Sequence, residues 1–122
     1  MTVLATTGTA LAQPSKEATA LVQVDSAKVR GTSEKEVIAF KGIPFAQLPV
    51  GALRWRLPQP VRPWEGVREA NAFGPDPVQP AHLAPPGAST SEDCLYVNVW
   101  RPAADADKPL PVVVWIYGGG LV

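Results

Sequence analysis

The sequence is short of the residues that most enzyme chemistry needs. Its 122 residues include one cysteine, Cys94, and one histidine, His82. A single cysteine excludes an internal disulfide, and one Cys with one His cannot complete a structural zinc site. An excess of charge is missing too, because eleven Lys and Arg balance eleven Asp and Glu. No net field therefore draws the chain to nucleic acid or to an anionic membrane. No apolar run approaches the length that spans a bilayer. A phosphate-binding loop would need Gly-Lys-Ser/Thr leading into a helix, and neither occurs. The sequence calls for no cofactor and no metal, and it signals no specific protein partner.

What is present is unevenly spread. Gly and Pro number 10 and 14, about a fifth of the chain, which is high for a packed domain but short of low complexity. Apolar residues make up 46%, too many for a disordered chain. Residues 1–18 hold no periodic pattern and read as a flexible tail or a signal-peptide remnant. Ala10-Leu11-Ala12 before Gln13-Pro14 fits a small-x-small cleavage site. Against that, no Lys or Arg precedes Lys16, and Thr6, Thr7, Gly8 and Thr9 dilute the apolar stretch. Both readings stay open. The location follows them: periplasmic or secreted if that site is cleaved, cytoplasmic otherwise.

Residues 19–122 read as one incomplete unit. Leu21–Val24 and Lys28–Gly31 are short strands about a turn at Asp25-Ser26. Gly31–Lys35 reads as a second turn and Val37–Phe40 as a third strand, so a small antiparallel meander is expected. From Gly42 to Pro63 five prolines argue against a helix or a central strand. That stretch still carries Phe45, Leu48, Leu53, Trp55 and Leu57, with Trp64 just beyond. Residues 74–91 are rich in Pro, Gly, Ser and Ala and read as a surface loop. Leu95, Val97 and Val99 then alternate with Tyr96, Asn98 and Trp100, the period of a strand. Val112–Ile116 is apolar without alternation, the pattern of a strand covered on both sides. No amphipathic helix is visible to cover it.

Glu92-Asp93-Cys94-Leu95-Tyr96-Val97-Asn98-Val99-Trp100-Arg101-Pro102 resembles the EDCL signature of the type-B carboxylesterases, the cholinesterase-like family. Upstream, Val29-Arg30-Gly31, Phe40–Ala46, Gly51-Ala52-Leu53-Arg54-Trp55, Pro63–Arg68 and Phe73-Gly74-Pro75 are similar to further family motifs, in the family's order. Trp115-Ile116-Tyr117-Gly118-Gly119-Gly120 is similar to its oxyanion loop. The resemblance implies an α/β class protein, the N-terminal edge of an α/β-hydrolase fold. The meander and the first strands of the central sheet would be present, and the unit would be cut after the glycine loop. It implies a serine carboxylic-ester hydrolase acting on a small-molecule ester. By position Gly119 and Gly120 would supply the oxyanion N–H groups, with Gly118 shaping the turn. On the glycines alone, a tight turn after a strand is the plainer reading. The resemblance also implies a structural ion pair between Arg54 and Glu92, a planar guanidinium holding the proline-rich segment by two points.

The rest of the catalytic apparatus is not found. No G-x-S-x-G elbow occurs. Gly31–Lys35 and Gly87–Ser91 come closest, and each lacks the second glycine. His82 lies in a proline-flanked loop and reads as a solvated residue. No catalytic serine, acid or histidine is therefore assigned, and the chain alone is expected to be inactive. Two departures from the family pattern stand out: Tyr117 replaces the commoner His, and Cys94 lacks the partner that relatives often carry after Phe-Gly-Pro. Two other readings remain, a non-catalytic adhesion module of the same family and a truncated gene product. The chain has no Asn-x-Ser/Thr sequon and no disulfide, which disfavours the adhesion reading.

Overall fold

The computed structural model of the protein describes residues 20–25, 27–80, 82–84, 86–104 and 106–118. Residues 1–18, Ser26, Gly119 and Gly120 lie outside them. Among the described residues the chain forms β1 (Leu21–Val24), β2 (Ala27–Arg30), β3 (Thr32–Glu34), β4 (Val37–Pro44), a 3-10 turn at Gly51–Leu53, β5 (Val67–Glu69) and β6 (Tyr96–Pro102). They make two three-stranded sheets, ordered β1-β2-β5 and β3-β4-β6. No described helix is long and apolar enough to cross a membrane.

The first hairpin follows from its residues. Leu21, Val22 and Val24 pair antiparallel with Arg30, Val29 and Ala27. Val29 is fully buried with Ile38, Phe40 and Ala70, and Val22, Val24, Ile43 and Trp64 pack around them. Trp64 directly follows the proline-rich stretch, and its indole N–H donates to the Lys28 carbonyl at 3.1 Å. An irregular segment thus closes a core that the hairpins alone leave open.

Three expectations need correction. Thr32–Glu34 is a strand, not a turn, and pairs with Ala39, Ile38 and Val37. The turn falls at Lys35-Glu36, where Lys35 takes the left-handed φ of 57°. Three polar residues carry no periodic signal, so the neighbouring ladder decides their state. The sheets are also not a purely antiparallel meander. β5 pairs parallel to β2, with Lys28, Val29 and Arg30 opposite Val67, Arg68 and Glu69. Lastly, Val112–Ile116 forms no strand. Residues 112–117 are 76–90% exposed and join no ladder. A strand is stable only where a neighbour takes its N–H and C=O groups. Residues 112–117 pair with none of the described strands.

β4 runs past Gly42, where prolines argued for its end. Its register with β6 shifts between Phe40 and Ile43, and Gly42 sits in the shift at φ 70°. The Gly42 N–H leaves the ladder and donates to Asn98 Oδ1 at 2.8 Å. A Cβ on Gly42 would stand 2.5 Å from the Ala72 carbonyl oxygen, so both backbone angle and space require glycine.

Gly51 also has positive φ, yet a Cβ there meets nothing within 4 Å. The pair separates the two effects. Gly51→Ala should cost about 1–2 kcal/mol from its backbone angle. Gly42→Ala should add about 1–3 kcal/mol for overpacking. Amide hydrogen exchange at Ile38–Phe40 checks this: protection should fall further for Gly42→Ala than for Gly51→Ala.

Candidate functional site

The signature residues lead into β6 and are fastened by main-chain bonds. The Phe45 N–H donates to the Leu95 carbonyl at 3.1 Å, and the Tyr96 N–H to the Cys94 carbonyl at 3.0 Å. The Asp93 N–H donates to Ser91 Oγ at 3.0 Å. Tyr96 packs against Gly74, where a Cβ would collide with its ring. Any side chain at Gly74 would displace the ring, so the Phe-Gly-Pro glycine is a packing requirement of the EDCL strand.

Arg54 follows the 3-10 turn, its N–H donating to the Gly51 carbonyl at 3.2 Å. The next residue, Trp55, takes a left-handed φ of 58° and stands 95% exposed. Arg54 Nη2 donates to Glu92 Oε2 at 2.5 Å, one hydrogen bond where two points were expected. Both side chains are about half exposed. The contact ties the proline-rich stretch to the signature across 38 residues of chain. Sequence reasoning missed other fasteners beside it. Arg68 lies over the Trp64 ring at 5.6 Å, and Lys41 over Phe73 at 5.2 Å. The signal for Asn98 was visible: a polar residue on the Tyr96–Trp100 face of β6.

Two titrating groups of the signature are shifted. Burial pushes the Cys94 thiol up, and the carboxylates of Asp93 and Glu92 push the same way. Burial also raises Tyr96, with Asp93 adding to it and Arg68 partly opposing. Neither group is poised as a nucleophile or base at neutral pH. His82 is exposed in the loop. Ser33 lies in β3, and Ser91 Oγ is taken by the Asp93 N–H. Gly118 stands in open space, while Gly119 and Gly120 lie outside the described residues. Among the described residues, the signature is held by main-chain hydrogen bonds and the Arg54–Glu92 contact.

A model of the carboxylesterase family matches residues 18–122. The chain belongs to that family. It is 49% identical over 89 residues to a fumonisin B1 esterase of Sphingopyxis macrogoltabida, covering 71% of this chain and 16% of that protein. It is 45% identical over 103 residues to the para-nitrobenzyl esterase of Bacillus subtilis (strain 168), covering 81% and 21%. An acetylcholinesterase of Bungarus fasciatus is 41% identical over 113 residues, covering 81% and 18%. Among solved structures, a thermophilic PNB esterase superposes with a TM-score of 0.78 at 43% identity, covering 82% of this chain and 21% of its own. The solved relatives are esterases of the α/β-hydrolase fold. The chain spans 16–21% of the length of these relatives.

Two measurements bear on this carboxylesterase segment. The raised Cys94 thiol holds less thiolate at any given pH than free cysteine does, so iodoacetamide should alkylate it more slowly at pH 8. The rate should catch up only as the pH rises past the shifted value; labelling as fast as a free thiol would contradict the burial. A double-mutant cycle with Arg54→Ala and Glu92→Ala should give a coupling of about 0–1 kcal/mol, since the pair is half exposed. Added salt should shrink it further.

Proposed function

We propose that these residues form the N-terminal edge of a serine carboxylic-ester hydrolase and carry one side of its oxyanion hole. Gly119 and Gly120 supply backbone N–H donors, and Gly118 shapes the turn. The supporting observation is the family match, which runs in order from residue 18 through the Tyr117–Gly120 loop to residue 122. In the reaction, a serine oxygen adds to the carbonyl carbon of a small-molecule ester, and the carbonyl electron pair moves onto oxygen. Donors aimed at that alkoxide lower the barrier, and losing one costs about 3–4 kcal/mol in measured cases. Two adjacent glycines let substrate approach the backbone closely. Arg54 and Glu92 serve this reading as structural residues, holding the signature strand that precedes the loop.

The donors act on the transition state and not on the resting ester, which fixes the test. In a hydrolase carrying this segment, Gly120→Ala should lower kcat by about 10²-fold while KM stays within about twofold. An unchanged kcat in a folded variant would reject the oxyanion assignment. The 122-residue chain alone has no elbow serine. It should hydrolyse an aryl ester no faster than a serine-free variant, and turnover abolished by one serine change would overturn that expectation.

A further inference from the structure

Among the described residues, the exposed leucines are Leu48, Leu57, Leu83 and Leu110. Leu48, Leu57 and Leu110 are each followed directly by proline, whereas Leu83 is followed by Ala84. An endoprotease takes its substrate as an extended strand, through main-chain hydrogen bonds. Proline has no N–H and a fixed φ, so the bond before it resists that pose. The other described leucines are tied into the structure. Leu21 lies in β1, Leu53 lies in the 3-10 turn, and the Leu95 carbonyl accepts the Phe45 N–H. Among the described residues, Leu83–Ala84 is therefore the leucyl bond that is both exposed and open to attack. No Lys or Arg lies between Arg68 and Arg101, so a protease selective for basic residues finds nothing in this loop.

We propose that His82-Leu83-Ala84 is a proteolytic site for an endoprotease that takes leucine, and that the cut leaves the signature strand in place. Hydrolysis adds water across the Leu83–Ala84 bond, leaving a carboxylate on Leu83 and an ammonium on Ala84. Little backbone structure opposes it. The Leu83 N–H donates to the Pro80 carbonyl at 2.9 Å, a single local bond, and Pro77, Pro80, Pro85 and Pro86 have no N–H to contribute. The base of the loop is closed on both sides. The Asp76 N–H donates to the Ser89 carbonyl at 2.8 Å, and the Ser91 N–H to the Asp76 carbonyl at 2.9 Å. Those bonds confine the opening to the loop, where a nick is best tolerated. Beyond them, the downstream piece is held without chain continuity. β6 pairs with β4 from Pro44 opposite Tyr96 to Val37 opposite Pro102. The Ala103 N–H donates to the Glu36 carbonyl at 2.7 Å, and Arg54 holds Glu92. The inference does not depend on the esterase reading, since it concerns one peptide bond and the contacts on either side of it.

The test treats the full 122-residue chain with a limiting amount of a leucine-selective endoprotease and follows the products by mass spectrometry. Within residues 20–118 the first cut should fall after Leu83. Ala84→Pro gives Leu83 the same proline neighbour that protects the other exposed leucines, and it should abolish that cut. The two pieces of the cleaved chain should elute together from a sizing column in buffer and separate in denaturant. Amide protection at Ile38–Phe40 should survive the cut, because β4 keeps its partner. Gly74→Val, which displaces the Tyr96 ring, should make the cleaved pieces separate on dilution at a concentration where the parent pieces stay joined. A first cut elsewhere within residues 20–118, no cut at all, or a cut that persists in Ala84→Pro overturns the site. Pieces that part in buffer, or β4 amides that are unprotected before or after cleavage, overturn the claim that the signature strand stays in place.

Discussion

Ala70 is where the two sheets are joined, and the placement of the signature strand depends on that junction. It is fully buried. Its N–H donates to the Arg30 carbonyl at 2.7 Å, and its carbonyl accepts from the Lys41 N–H at 2.8 Å. One peptide unit on either side of one small residue therefore satisfies β2 and β4 together. From there the chain runs alongside β4: Asn71 bridges Lys41 in parallel, and the Ala72 carbonyl lies against Gly42. Gly74 then receives the Tyr96 ring. A larger residue at 70 would part the sheets, and the effect would pass through Gly74 to the start of β6.

This sequence of contacts gives the motif glycines a physical meaning. Gly42 and Gly74 are far apart in the chain, yet both are glycine because the 70–74 segment presses on β4 and β6. Asn98 completes the arrangement from the other strand by accepting the N–H that the register shift at Gly42 releases. The motifs behave as one packed object. The family match covers all of these motifs, since it extends over residues 18–122.

Much of this was legible in the sequence, for identifiable reasons. β1, β2, the start of β4 and β6 carry β-branched or alternating residues, and their own side chains declare them. β3 and β5 do not. Thr32–Glu34 and Val67–Glu69 are three-residue pieces whose state is set by a partner strand remote in sequence for β5 and by the hairpin for β3. Period and propensity carry no information about such pairing. The Arg54–Glu92 contact came from the motif resemblance, because two charges 38 residues apart have no local signature. The segment at 112–116 failed in the opposite way. Its residue types announce a strand, but strand formation is a property of two chains side by side, and one side is absent among the described residues.

That last point bears on how an oxyanion loop can work. Stabilising an alkoxide requires donors already fixed in place, because reorganising them during the reaction consumes much of the benefit. Fixing a backbone N–H to a fraction of an ångström takes a rigid element beneath it and a packed shell around it. The signature strand has such support from Gly74, Phe45 and the Arg54 contact, but that support stops at β6. Among the described residues, 112–117 join no ladder and are largely exposed. Any precision in the loop must come from strands and helices packed against 112–117. On the reading proposed above, catalytic competence would depend on sheet completion around 112–117 as much as on a nucleophile.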